Sequence, residues 1–249
     1  EVNNSQIKFI IVTATAVDPP EAQINTCKAF FNSGQFQEAI EAVEKVIESC
    51  SNIPILYEIL GAANLMLGNA EETINAYNKL LVLEPNHADA YNNLGKIFYE
   101  KDNFPKALEN YCKVVEIEPD FADAHYNLGN SLRQTGDLRG AIKSYQRSLE
   151  IVPDDAEILN ACGQAFKESG KFEQAIKYYK KALNINPKMP GVQNNLDSVI
   201  KEKTKFDIVI DNYIKESDLT YGSKEFLNFL GQRLQQEGFL SLLYILLAL

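Results

Sequence analysis

The amino-acid sequence predicts an all-α fold, a solenoid of stacked antiparallel helix pairs. Three observations predict it. The same pattern of apolar, small and aromatic residues returns every 34 residues, a glycine or another small residue stands at a fixed place in each period, and a proline closes the second to fifth periods, at positions 85, 119, 153 and 187. Periods of about 20–50 residues are typical of repeat proteins, in which each unit packs only against its neighbours.

The unit at residues 88–121 shows the pattern most clearly. Leu94 and Gly95 lie on one face of its predicted first helix, and Ala107 and Tyr111 lie on one face of its predicted second helix. A side chain at the glycine position would hold the helices apart, so we expect the two helices to cross there. The equivalent positions are Gly61, Gly95, Gly129 and Gly163 in first helices, and Ala39, Thr73, Ala107, Ala141 and Ala175, beside Tyr77, Tyr111 and Tyr145, in second helices.

The period divides the chain into repeat units and a capping helix. The five predicted units are residues 20–53, 54–87, 88–121, 122–155 and 156–189, and the capping helix is 190–203. The first unit is degenerate, with Gln23 where an aromatic residue belongs, which is typical of a terminal repeat. In four units a glycine between the helices is expected to adopt the left-handed conformation that ends the first helix. Asp102 replaces this glycine in the third unit, where we expect a modest cost in stability.

The two ends of the chain depart from the repeat. Residues 1–19 are predicted to form an extended arm, because residues 7–17 are rich in β-branched side chains. Residues 204–249 are predicted to form a helical extension that either packs as a cap or begins a second, truncated domain. Within this extension we predict helices at 205–218 and 223–236, and the apolar run from Phe239 to Leu249 is too short to span a bilayer.

Composition argues against several classes of function. A net charge of −10 argues against a nucleic-acid partner, and no stretch is long and apolar enough to cross a membrane. The four cysteines include no CxxC pair; Cys27 and Cys162 stand where the repeat needs small core residues, and reduced thiols favour a cytoplasmic location. The sequence holds no phosphate-binding loop, metal-ligand spacing or catalytic triad pattern. We therefore expect no catalytic residue, no metal and no cofactor, and a protein that is not an enzyme.

The period of 34 residues, with its glycine, alanine and proline positions, is similar to the tetratricopeptide repeat (TPR) family. The array resembles the bacterial type and is similar to the repeat arm of O-linked N-acetylglucosamine transferase. The resemblance implies a right-handed superhelix whose first helices line a concave groove. It also implies a protein–protein interaction scaffold that binds a peptide or a helix of a partner protein in that groove.

Within the resemblance, six positions of each unit face the groove, and asparagine recurs at them. An amide side chain both donates and accepts hydrogen bonds, so a ladder of asparagines can hold a peptide backbone whatever its side chains. The predicted partner-binding residues are Asn25, Lys28, Asn92, Asn93, Lys96, Tyr99, Tyr126, Asn127, Asn130, Arg133, Asn160, Gln164, Lys167, Asn194 and Asn195.

The groove positions of the second unit are apolar instead. They are Ile55, Ile59, Ala62, Leu65 and Met66. A contiguous exposed apolar surface marks a contact, and three occupants are open: the chain's own arm at residues 7–17, a foreign partner, or a second copy of the chain. A homo-oligomer through this apolar patch or through the C-terminal helices is therefore one of the alternatives.

A second function stays open at this stage. Repeat arms of this kind precede catalytic domains in similar proteins, so the chain is alternatively the substrate-recruiting arm of a larger glycosyl-, methyl- or sulfotransferase. The apolar C-terminal run favours this alternative, whereas the predicted capping helix at 190–203 favours the stand-alone scaffold.

Overall fold

The computed structural model describes residues 20–216 and, beyond them, residues 225, 228 and 231–232. Residues 20–216 form α-helices and no strand. The helices are α1 (Pro20–Asn32), α2 (Phe36–Ser49), α3 (Pro54–Met66), α4 (Ala70–Leu83), α5 (Ala88–Glu100), α6 (Phe104–Ile117), α7 (Ala122–Gln134), α8 (Leu138–Ile151), α9 (Ala156–Glu168), α10 (Phe172–Ile185) and α11 (Val192–Glu216). No helix in this part of the chain is long and apolar enough to cross a membrane.

Consecutive helices pair as the sequence period predicts. From α3 to α10 every first helix has 13 residues and every second helix has 14, and first helices begin at residues 54, 88, 122 and 156. Helix pairs α3–α4, α7–α8 and α9–α10 pack closely, and second helices pack in turn on the following first helices, as α6 does on α7 and α8 on α9. The predicted all-α repeat fold is confirmed.

The turn inside each unit has the backbone that the glycine position predicts. Gly34, Gly68, Gly136 and Gly170 have φ angles of 77°, 78°, 86° and 71°, and Asp102 has the same left-handed conformation with φ 56°. The Asp102 N–H donates to the Tyr99 carbonyl oxygen at 3.0 Å, just as the Gly136 N–H donates to the Arg133 carbonyl oxygen at 3.1 Å. Aspartate is one of the few non-glycine residues that adopt this region. The third unit therefore has the same turn as the other units, with aspartate in place of glycine.

The crossing inside each unit is tighter than the sequence alone shows. A Cβ atom at Gly61, Gly95 or Gly163 would lie 2.6–2.8 Å from the Cε1 atom of Tyr77, Tyr111 or Tyr179. The tyrosine ring of the second helix therefore occupies the space that a side chain on the first helix would need. These tyrosines are almost fully buried, with 0–2% of each residue exposed.

The first unit solves the same packing problem with different residues. Cys27 stands at the glycine position and Val43 at the tyrosine position, and both are fully buried in one core cluster. A larger residue on the first helix is matched by a smaller one on the second, so the volume of the pair is kept in balance. Cores tolerate such volume-conserving exchanges best.

The chain divides into two compact units, residues 1–90 and 91–249. In the first, Cys27, Val43, Leu56 and Ile59 belong to the core that joins α1, α2 and α3. In the second, the largest core cluster runs from α8 to α11 and includes the following fully buried residues: Ala141, Tyr145, Cys162, Ala165, Ala175, Tyr179, Ala182, Val192 and Val199.

The C-terminal helix departs from the prediction. We predicted a capping helix that ends at residue 203 and a new helix from 205, but α11 continues without interruption from Val192 to Glu216. No glycine or proline occurs within it. The Lys203 ammonium pairs with the Asp207 carboxylate at 2.6 Å across the predicted break. The Phe206 ring packs edge-on against Phe172 of α10, with ring centroids 6.1 Å apart. The predicted helix end was therefore wrong.

Several predictions concern residues outside the described part of the chain. The N-terminal arm at 1–19 and the apolar run at 239–249 lie wholly outside it. Of the predicted helix at 223–236, residues 225, 228 and 231–232 are described, and these are helical.

Candidate functional site

The predicted partner-binding residues of the second compact unit lie on its first helices and on α11. Most of them recur three or four residues apart within a helix, and the rest are direct chain neighbours of these, which places the set on one side of each helix. We call this surface the first-helix face and define it by Lys96, Tyr99, Asn127, Asn130, Arg133, Gln164, Lys167 and Asn195. Contacts between successive helices show that these positions are neighbours.

A ladder of side-chain contacts crosses this face from one repeat to the next. The Gln134 amide Nε2 donates to the Tyr99 hydroxyl at 3.4 Å. The Arg133 guanidinium pairs with the Glu168 carboxylate at 2.7 Å, and the Lys167 ammonium pairs with the Glu202 carboxylate at 2.7 Å. Each contact joins residues that are 35 positions apart. The two ion pairs place a base of α7 beside an acid of α9, and a base of α9 beside an acid of α11.

The two ion pairs change how Arg133 and Lys167 are interpreted. Both were predicted to contact a partner, but each already has a carboxylate partner inside the chain. Lys167 also donates to the Ser198 hydroxyl at 3.0 Å. An acid 35 residues after each base is the sequence signal for these pairs, but the register between successive repeats decides that they meet. The cations therefore give the face local dipoles and not a net positive charge.

The asparagines do not form one uniform ladder. The Asn130 Oδ1 accepts a hydrogen bond from the Tyr145 hydroxyl at 2.7 Å, and the Asn195 Nδ2 donates to the Asn160 Oδ1 at 3.3 Å. Asn92 is 6% exposed, and its buried Oδ1 has no hydrogen-bond partner. Asn130, Asn160 and Asn195 thus bond other residues of the protein, and Asn92 is buried, which the prediction missed.

The remaining predicted residues of this unit are more accessible. Asn93 and Asn127 are half-buried, and Lys96 and Asn194 are exposed. The Tyr99 ring packs edge-on against Phe104, with ring centroids 5.4 Å apart. Tyr126 is half-buried with its ring 5.9 Å from that of Tyr145.

Four of the predicted residues meet in one pocket, which we call the Tyr179 pocket. Arg133, Gln164, Lys167 and Asn195 line it together with Glu168, Tyr179 and Glu202, and its volume is about 490 Å³. Ligand pockets fall in the range of about 300–1,000 Å³. Three predicted positions come from the first helices α7 and α9, and one comes from α11.

Three residues of this pocket, Glu168, Tyr179 and Glu202, were not among the predicted site residues, and Tyr179 is the most deeply buried of them. It belongs to the second helix α10, is 0% exposed, and its hydroxyl has no hydrogen-bond partner. In the preceding repeat the equivalent hydroxyl, that of Tyr145, donates to Asn130. The position equivalent to Asn130 is Gln164. This exchange of Asn for Gln is the sequence signal that marks the pocket.

The electrostatics keep the pocket's donors in their protonated forms. Burial raises the pKa of the Tyr179 hydroxyl, the Glu168 and Glu202 carboxylates raise it further, and Arg133 lowers it. Burial lowers the pKa of the Arg133 guanidinium, but the charges and hydrogen bonds of Glu168 and Tyr145 together raise it overall. At neutral pH the pocket therefore offers a neutral phenol, two amides and two base–acid pairs.

In the first compact unit the predicted apolar patch is only partly exposed. Ile59 is only 5% exposed and belongs to the core with Cys27 and Val43. Ile24 and Phe31 of α1 pack against the same core, which is why the apolar side of α3 is covered. The prediction of an exposed surface was wrong for Ile59. Of the others, Met66 is 61% exposed, Ile55, Ala62 and Leu65 are half-buried, and the predicted Asn25 and Lys28 are exposed.

The cysteines take the packing role that the sequence predicts. All four are free thiols, and Cys27 and Cys162 are fully buried. Burial raises the pKa of the Cys162 thiol to about 12, although the Tyr178 hydroxyl lowers it. Within the described residues, His, Cys, Asp and Glu side chains form no group of three that could hold a metal ion.

Comparisons with known families agree with this architecture. A tetratricopeptide repeat model matches residues 120–188, and a TPR repeat model matches residues 66–102 and 95–132. The chain is a tetratricopeptide repeat protein. Together the matched residues of this TPR protein extend from the end of α3 to the end of α10.

Solved structures with similar folds are also TPR-like. The TPR chain matches a MamA protein with 27% identity and a TM-score of 0.64, covering 68% of this chain and 92% of that one. A MamA fragment from Desulfovibrio magneticus RS-1 matches with 21% identity, a TM-score of 0.64, and coverage of 70% and 98%. YrrB, described as a TPR protein with an unusual peptide-binding site, matches with 19% identity, a TM-score of 0.67, and coverage of 71% and 91%. The last two likenesses concern the fold alone. No curated protein matches the chain significantly.

Proposed function

We propose that this TPR protein is an interaction scaffold and that its first-helix face, within residues 91–216, binds an extended segment of a protein partner. One observation carries the proposal. Arg133, Gln164, Lys167 and Asn195 were predicted as partner-binding residues from their repeat positions, and they line a single pocket. The neighbouring half-buried Asn127 extends the polar surface along α7.

The chemistry of the face suits a polar, extended chain. Amides at Asn127 and Gln164 donate and accept, as do the peptide groups of an extended segment. The ion pairs of Arg133 with Glu168 and of Lys167 with Glu202 balance their charges, so a segment does not need a strong net charge to bind. Each main-chain hydrogen bond to such a surface contributes about 0.5–1.5 kcal/mol net.

The other predictions from the sequence stand beside this proposal. The apolar patch of the first unit is a weaker candidate, because Ile59 is buried and only Met66 is largely exposed. A transferase arm would use the same first-helix face to recruit its substrate, so that alternative differs in the presence of a catalytic domain and not in the binding surface. A cytoplasmic location and the exclusion of nucleic acid stay predictions from composition.

A displayed library of unstructured peptides, selected on the full chain, supplies the probe for a test. Selected peptides would then be titrated by calorimetry against the wild type and against the double variant Asn127→Ala, Gln164→Ala. We expect binding to weaken by about tenfold to a hundredfold, because two hydrogen bonds are lost and 1.4 kcal/mol is a factor of ten in affinity.

Lys143→Ala on α8 is the matched control, since Lys143 is exposed on a second helix. It should leave the affinity unchanged. Equal affinity of the wild type and the double variant, with weaker binding by the Lys143 variant, would place the binding surface on the second helices and overturn the proposal.

A further inference from the structure

Two successive repeats place the same tyrosine in different hydrogen-bonding situations. Tyr145 packs on Gly129 and Tyr179 packs on Gly163, in each case so closely that a glycine Cβ would clash with the ring. The Tyr145 hydroxyl donates to the Asn130 Oδ1 at 2.7 Å. The Tyr179 hydroxyl is equally buried and has no partner. The later of the two repeats, residues 156–189, therefore carries a buried hydroxyl that has no hydrogen-bond partner in the described part of the protein.

A second unpaired donor belongs to the same pocket. The Nη1 atom of Arg133 bonds the Glu168 carboxylate at 2.7 Å, whereas its buried Nε has no partner. Both Arg133 and Tyr179 line the Tyr179 pocket. Leaving a buried donor without an acceptor costs stability, because the donor loses its hydrogen bonds to water and gains none. An acceptor that bonds either donor would recover that cost, so the pocket favours an incoming acceptor.

The charges of the pocket restrict what this acceptor is. Arg133 and Lys167 already have carboxylate partners, and an incoming anion would have to compete with Glu168 and Glu202. A neutral carbonyl oxygen meets no such repulsion. Glu168 and Glu202 are each 43% exposed at the side chain, so their oxygens can also accept from an incoming N–H group. A group with a carbonyl oxygen and an N–H on adjacent atoms matches both requirements.

We propose that the Tyr179 pocket binds an amide group of the partner segment. Its carbonyl oxygen accepts from the Tyr179 hydroxyl and the Arg133 Nε–H, and its N–H donates to the carboxylate of Glu168 or Glu202. The inference deepens the proposed peptide-binding function and rests on it. Two sources supply this chemistry, the side-chain carboxamide of an Asn or Gln in the partner and the partner's main chain.

Capped tripeptides separate the two sources. The probes are acetyl-Gly-Gln-Gly-amide, acetyl-Gly-Gly-Gly-amide and acetyl-Gly-Glu-Gly-amide, titrated into the 249-residue chain. The side-chain NH₂ signals of Gln164 and Asn195 in proton–nitrogen correlation spectra report occupancy of the pocket. Tighter binding of the Gln probe than of the Gly probe assigns the site to a carboxamide side chain. Equal binding assigns it to the main chain.

Tyr179→Phe and Tyr145→Phe are the matched variants, since each removes one hydroxyl and keeps the ring against its glycine. Tyr179→Phe should weaken the amide probes by about tenfold, the equivalent of one hydrogen bond. Tyr145→Phe should change their affinity much less, because its hydroxyl bonds Asn130 and does not line the pocket. Unfolding by urea checks that both variants are folded.

Three results would overturn the amide assignment. They are no saturable shift with either amide probe, unchanged amide binding in Tyr179→Phe, and tightest binding by the Glu probe, which would make the pocket a carboxylate site. These outcomes are distinct from failure of the proposed function. If selected peptides still depend on Asn127 and Gln164 but not on Tyr179, the face binds peptides without using this pocket. If the amide probes bind through Tyr179 while selected peptides ignore Asn127 and Gln164, the pocket acts without an extended groove.

Discussion

The ring of Tyr145 lies directly on the backbone of Gly129, so that a Cβ atom at Gly129 would come within 2.6 Å of Cε1 and 2.7 Å of Cδ1. The contact joins the two helices of one repeat. A ring can lie this close to the main chain only at a residue without a side chain. The glycine and the tyrosine are therefore one packing unit, and the effect of a substitution at either residue on stability should depend on the other.

Substitution of Gly129 tests this packing unit. Gly129→Leu should reduce the free energy of unfolding by about 1–3 kcal/mol, because the added atoms must displace the Tyr145 ring from a filled core. Urea unfolding measures the effect. An unchanged urea midpoint would show that the Tyr145 ring moves aside without any loss of stability.

The first repeat supplies the compensating change. Cys27 and Val43 occupy the equivalent positions there, so we expect the double variant Gly129→Cys, Tyr145→Val to lose less stability than the two single variants do in sum. Contacting residues typically couple by about 0.5–3 kcal/mol in such cycles. Strict additivity would mean that the two side chains do not share the space assigned to them.

The left-handed turn residues give a further prediction. A Cβ at Gly136 would have open space around it, so Gly136→Ala acts only through the φ angle of 86°. We expect it to lower stability by about 1 kcal/mol, the usual cost of this conformation for an L-residue. Asp102→Gly should act in the opposite direction, since Asp102 holds φ 56°. Thermal unfolding of both variants checks the signs, and a more stable Gly136→Ala would contradict the assignment.

The sequence predicted the fold well because its signals are local and repeat. Gly61, Gly95, Gly129 and Gly163 recur at one spacing, and each lies where the helices cross. The end of the capping helix was predicted poorly because the sequence pattern stops there. The Lys203–Asp207 pair and the packing of Phe206 on Phe172 carry α11 onward, and neither contact can be deduced from the 34-residue repeat.

The candidate site was predicted only in part, and for a physical reason. Repeat position placed Arg133, Gln164, Lys167 and Asn195 on one face, where they share a pocket. It did not show which of these side chains already have partners. Arg133 and Lys167 are bound to acids 35 residues later, and Asn130 is bound to a tyrosine of the second helix. Partners on other helices depend on the register between repeats, which a single unit does not contain.

Burial of Cys162 leads to a prediction about alkaline pH. The pKa of its thiol is raised from 9.0 to about 12 in the folded chain. Above pH 9 the unfolded thiol releases a proton that the folded one retains, so stability should fall as pH rises from about 9 towards 12, by up to about 1.4 kcal/mol per pH unit for this group. Urea unfolding between pH 8 and 11 should show a smaller decline in Cys162→Ala than in the wild type.

Thiol labelling gives an independent reading of the same burial. At pH 8 a thiol reagent should modify the exposed Cys112 quickly and the buried Cys27 and Cys162 only when the chain unfolds. The Cys112→Ala variant identifies the fast phase. Rapid modification of Cys162 in the folded chain would contradict both its burial and its raised pKa.

The last prediction compares the two tyrosine hydroxyls by their effects on stability. Tyr145→Phe removes a hydrogen bond of 2.7 Å and leaves the Asn130 amide oxygen without that donor. It should therefore reduce the free energy of unfolding by about 0.5–1.5 kcal/mol, or more if Asn130 is left unsatisfied.

Tyr179→Phe removes a hydroxyl that is buried without a partner, while its ring keeps the contact with Gly163. Because the unpaired hydroxyl loses its water on folding and gains nothing in return, the free energy of unfolding should stay the same or rise by up to about 1–3 kcal/mol. Urea unfolding of the two variants, measured side by side in the absence of any peptide, gives the comparison. A larger loss of stability in Tyr179→Phe than in Tyr145→Phe would mean that the Tyr179 hydroxyl already has a partner in the free protein. In that case it would not be available to an incoming amide.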